Sequence, residues 1–137
     1  MSYGVSAALQ AAVFQQLVAD AQVGALSGGA IYDEVPSGTV PQTYVTLGPE
    51  DVREASDKTG QGTLHRFAVS VVSEAAGFGA AKTLAGAVCD ALDGAALTLD
   101  RGRLVGLWFE RASARRTGTG GAIRQIDLRF RARVEDN

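Results

Sequence analysis

At 137 residues, with 46% hydrophobic and 20% charged side chains, the chain can bury one real core but not two, and with no apolar run near the roughly 18 residues of a membrane span it reads as one soluble domain, 1–137. One cysteine, Cys89, excludes an internal disulfide framework, and together with the single histidine, His65, it cannot supply a structural zinc site. The net charge of −2 hides opposed halves: residues 1–100 hold four Lys+Arg against 11 Asp+Glu, whereas residues 101–137 hold nine arginines against four acids.

Ser6 to Ala21 is predicted as an amphipathic helix with Leu9, Val13 and Leu17 on one stripe, Phe14 and Val18 alongside, and Ser6 as N-cap. The stretch from Val23 to Gly29 ends the period before the apolar triplet Ala30-Ile31-Tyr32, and Pro36, Gly38 and Pro41 mark a loop. Thr43 to Leu47 is β-prone and is expected to stop at Gly48-Pro49. Glu50 to Gly62 is polar without an apolar period, which predicts a long exposed hairpin arm. Phe67, Val69 and Val71 then alternate with Arg66, Ala68 and Ser70, the two-residue period of a half-buried strand.

Gly79 to Asp93 returns to helical spacing, with Ala81, Leu84, Ala85, Val88 and Leu92 on one stripe and Gly94 as the terminating glycine. Three strands are expected after it: Leu97 to Leu99, Arg103 to Arg111 or beyond, and Ala122 to Glu135. A Gly/Thr-rich tip, about 115–121, separates the last two. In the final strand Ile126, Leu128, Phe130, Ala132 and Val134 face one way and Asp127, Arg129, Arg131, Arg133 and Glu135 the other. The order of elements predicts an α+β fold, a mainly antiparallel β-sheet with two α-helices packed on one face.

The inventory for catalysis is poor. His65 is the only imidazole, and no nucleophile elbow surrounds a serine. Gly118-Thr119-Gly120-Gly121 lacks the Lys-Ser/Thr pair and the following helix of a phosphate-binding loop. Asp90 and Asp93, one helical turn apart, read as a solubilising pair, and Cys89 as a small buried hydrophobe. No catalytic residue, cofactor or metal is expected. Trp108 sits in a strand apolar on both faces, so its cover is either a partner subunit or the chain's own long arm. The C-terminal arginines suit an acidic protein surface or DNA, or form a solvated strand face. An overall pI near 5.3 and the lack of interleaved exposed aromatics weigh against a nucleic-acid-binding module.

Taken in order, several landmarks resemble the tail terminator (tail-completion) family of long-tailed bacteriophages and gene transfer agents. They are the Ala-Leu-Gln helix start, Gly28-Gly-Ala-Ile-Tyr-Asp-Glu-Val-Pro36, Tyr44-Val-Thr-Leu-Gly48, the polar arm with Lys58-Thr-Gly60, His65-Arg66, Ala91-Leu-Asp-Gly94 and Leu128-Arg-Phe-Arg131. The resemblance implies a structural subunit of a six-membered ring that caps the tail tube, stops its polymerisation and joins it to the head-side connector. It carries no catalytic residues. Its expected partners are its own copies, the tail tube protein and a connector or stopper protein, with DNA only in transit and no membrane. The expected location is the bacterial cytoplasm during assembly, then the tail. The alternatives are another connector, stopper or tube ring subunit. Candidate interface residues are Arg53, Asp57 and Lys58 on the arm, Trp108, Arg115 and Arg116 at the strand and tip, and Arg129, Arg131 and Arg133 on the final strand.

Overall fold

The unbroken alternation of the last strand sets the architecture. In the computed structural model, which describes residues 3–56 and 60–136, β5 (Ile123–Glu135) is long and nearly central, and its even positions Ile126, Leu128, Phe130, Ala132 and Val134 are all buried. It pairs antiparallel with β3 (Gly62–Ser73) on one side and β4 (Arg103–Thr117) on the other. β2 (Thr43–Glu54) continues the sheet beyond β3, and β1 (Ile31–Tyr32) adds a short parallel edge at Val45 and Thr46. The order is β1-β2-β3-β5-β4, an α+β fold built on a mostly antiparallel sheet.

Three helices accompany the sheet: α1 (Ser6–Ala19), α2 (Ala21–Ser27) and α3 (Gly79–Leu92). Leu9, Val13 and Leu17 of α1 and Leu84, Val88 and Leu92 of α3 share one apolar core with Phe67, Val69 and Val71 of β3 and the even side chains of β5. Val18, by contrast, points outward and is 51% exposed. α3 closes as the glycine rule requires, with Gly94 in the left-handed region at φ 74°.

Several boundaries differ from the sequence reading, each for a local reason. The stretch after Ala19 forms a second helix because Asp20 leaves helical geometry and accepts a hydrogen bond from the Val23 amide at 2.9 Å, capping a new start. Ser6 is not an N-cap but the first helical residue, with its hydroxyl committed to Glu50 instead. Gly48-Pro49 does not end β2: the register shifts between Leu47 and Glu50, and the bulge accommodates a proline that cannot donate to the ladder. The first part of the expected arm, Glu50–Glu54, is therefore paired strand against Thr63–Phe67, and its last residue, Gly62, opens β3. Leu97 to Leu99 forms no strand; both leucines pack on the core from an irregular segment. β4 runs on to Thr117, so the Gly/Thr-rich tip shrinks to a 3-10 turn at Thr119–Gly121. No described helix is long and apolar enough to cross a membrane.

Candidate assembly interface

Cross-strand register, which sequence alone cannot supply, decides which side chains share a surface. On the sheet face opposite the even positions of β5, residues directly across from one another form rows. Arg53, Leu64, Arg133 and Gly106 make one; Asp51, Arg66, Arg131 and Trp108 the next; Ala68, Arg129 and Arg111 the third. Farther along, Ser70, Asp127 and Ser113 are followed by Val72, Gln125 and Arg115. Six of the candidate residues, Arg53, Trp108, Arg115, Arg129, Arg131 and Arg133, thus lie on one face. Arg116 does not: it pairs with Arg124, in the parity of Ala112 and Ala114 on the other side of β4. Asp57 and Lys58 lie outside the described residues.

This face is a mosaic of arginines and carboxylates. Arg53 pairs with Asp51 at 3.2 Å, Arg66 with Glu110 at 3.2 Å and Arg115 with Asp127 at 3.4 Å. Burial works against charge on Asp127, but hydrogen bonds from Gln125 and Ser70 and the nearby Arg115 guanidinium outweigh it and hold the carboxyl below its ordinary range. Arg66, Arg111 and Asp127 were not singled out from sequence. The alternation of β3 and β5 contained the signal for Arg66 and Asp127, whereas Arg111 shares this face with Trp108 only because of the register shift between Phe109 and Arg111.

Among the described residues the arm does not reach Trp108, because β3 and β5 separate β2 from β4. Its ring lies across Gly106 and beneath the Arg131 guanidinium, 5.1 Å from the ring centroid, and remains 39% exposed. A Cβ at Gly106 would fall 2.2 Å from the Trp108 Cζ2 atom. Gly106→Ala is therefore expected to push the indole off this site, costing about 0.5–1 kcal/mol of lost cation–π contact. Trp108 is the only tryptophan, so its emission maximum reports the displacement directly; an unchanged spectrum would contradict this packing.

At the end of the sheet nearer the start of α1, a polar cluster fastens the N-terminal segment to the hairpin. Glu50 accepts hydrogen bonds from the Tyr3 hydroxyl at 2.5 Å and the Ser6 hydroxyl at 2.8 Å, and contacts His65 Nδ1 at 3.1 Å. The other ring nitrogen of His65 meets Thr63 Oγ1 at 2.9 Å, so a fully buried imidazole has both nitrogens partnered. This is a structural clasp. Cys89 is half-buried, and burial, followed by the neighbouring Asp90 and Asp93, pushes its thiol up, away from a nucleophile's range. Asp93 accepts a hydrogen bond from the Phe109 amide at 2.8 Å, tying α3 to β4. No group of three or more His, Cys, Asp or Glu among the described residues could hold a metal.

The relatives place this sheet, with its charged mosaic on one face, among phage-type tail structural proteins. Residues 11–135 match the family described as tail completion protein gp17, and the chain belongs to that family. It is also similar to a chain in a solved structure titled "Virion of native gene transfer agent (GTA) particle". The two are 63% identical over 98% of this chain and 99% of that one, with a TM-score of 0.92. No curated protein matches.

Proposed function

We propose that residues 1–137 act as one tail-terminator-like domain, a non-enzymatic virion subunit. Six copies form a ring at the head-proximal end of a phage-like tail tube, end its polymerisation and join it to the head-side connector. The observation that carries this reading is membership of the tail-completion family over residues 11–135, supported by the likeness to a chain of a gene transfer agent virion. In this reading the partners are further copies, the tube protein and a connector or stopper protein, and the protein assembles in the bacterial cytoplasm before residing in the particle's tail. Arg53, Trp108, Arg115, Arg129, Arg131 and Arg133 supply contacts on the mosaic face, Arg116 at the edge, and Asp57 and Lys58 in the polar segment of sequence between β2 and β3. Carboxylates beside Arg53, Arg66 and Arg115 already offset part of the cationic charge, which suits a surface that DNA passes without sticking.

The test is electron microscopy of particles made with the gene deleted. Overlong, variable tails detached from filled heads are expected. Tails of normal length would refute termination and move the protein to another station in the particle.

A further inference from the structure

The two edges of the sheet carry opposite charge. The β4 edge, residues 101–117, holds five arginines against the single acid Glu110; Arg101, Arg103 and Arg115 pair within the chain with Asp136, Glu135 and Asp127, so Arg111 and Arg116 carry the charge offered to a neighbour. The β1–β2 edge, residues 31–54, holds the acids Asp33, Glu34, Asp51 and Glu54 against the single cation Arg53, the Glu50 carboxylate being taken up by the clasp. These edges stand at the two ends of the strand order, so they cannot meet within one chain. Among the described residues no strand pairs with the outer side of β4, and β1 covers β2 only at Val45 and Thr46.

The β4 edge is also where apolar surface is left over. Val105, Trp108 and Phe109 are 43%, 39% and 41% exposed. Phe109, Ala112 and Ala114 line an open groove whose other wall is Gly86 and Cys89 of α3. Partly exposed apolar side chains on both faces of an edge strand, with arginines beside them, have the composition of a protein contact.

We propose that the β4 edge of one copy docks on the β1–β2 edge of the next. This deepens the ring reading above and rests on it for the closed number of copies, while the contact itself stands on charge and exposure. A two-fold contact of β4 with β4 would set arginines against arginines, so the favourable pairing is heterologous, the kind that closes into a ring. Strand direction agrees. β2 and β4 run opposite ways, so a neighbour continuing the sheet presents its β2 antiparallel to β4, bringing Asp33 toward Arg111. The bulges between Leu104 and Gly106 and between Phe109 and Arg111 interrupt the edge, so side chains rather than a continuous ladder make this contact.

The test is charge exchange, read as particle mass by sedimentation of the purified protein at high concentration and low salt. Arg111, Arg116, Asp33 and Glu34 are all exposed, so their replacement leaves the core intact, which an unchanged urea midpoint verifies. R111E/R116E and D33R/E34R should each weaken self-association on the order of tenfold or more. The four substitutions together, which exchange the two signs, should restore it. Unchanged association in both double variants, no recovery in the fourfold variant, or a wild-type chain that stays monomeric would each overturn the edge contact. Failure of the terminator reading shows separately, as normal tails in the deletion.

Discussion

Phe130→Ala is expected to cost about 3–5 kcal/mol of folding stability, a large share of the roughly 5–15 kcal/mol that holds a domain of this size. Phe130 has no exposed surface and lies at the centre of the sheet. Its ring stacks on Phe67 at 5.8 Å across β3 and meets Phe109 edge-on at 6.0 Å across β4. Truncation removes both aromatic contacts and opens a cavity flanked by two long paired strands that cannot collapse into it. Urea unfolding followed through Trp108 should show the midpoint falling by more than about 1 M with the slope unchanged. A shift below a few tenths of a molar would mean that the core relaxes around the gap.

The second large effect is at Glu50. Glu50→Ala should destabilise by about 1–3 kcal/mol, because the His65 Nδ1 and the Ser6 hydroxyl are left buried without their acceptor. The same carboxylate makes stability depend on acidity. Burial disfavours its charge, but hydrogen bonds from Tyr3, His65 and Ser6 outweigh that and hold it below its ordinary 4.5. A depressed folded value means the contribution is complete above about pH 4.5 and is lost as the pH falls through the folded value. Wild type should therefore lose urea resistance between pH 6 and pH 3 more steeply than Glu50→Gln. Some slope will remain in the variant, since Asp127 is lowered too. Identical slopes would show that the clasp holds no charge-dependent stability.

The elements that sequence placed best are those whose signal is periodic and local. β5 was legible because its core residues recur every second position without interruption. α3 was legible because its stripe is complete and Gly94 ends it. The family, too, was legible, since the order of short landmarks survives along the chain and the match covers residues 11–135. What failed was punctuation. Gly48-Pro49 reads as a stop in any single-strand view, yet β3 supplies partners on one side and a bulge absorbs the proline. The helix expected to run through Ala21 stops at Ala19, because the Asp20 carboxylate caps the start of α2.

The sequence by itself determined the class of fold, the helix and strand faces that must be buried, the scarcity of catalytic groups and the split of charge between the halves of the chain. These follow from the spacing and type of residues along one strand or one helix. Only the tertiary structure decided which of the arginines share a surface, that Trp108 lies under Arg131 instead of under the arm, and that acidic and basic edges stand at opposite ends of one sheet. Those are matters of strand order and register. They are set by pairing between segments tens of residues apart, and a one-residue slip in that pairing would turn every side chain of the mosaic face to the other side.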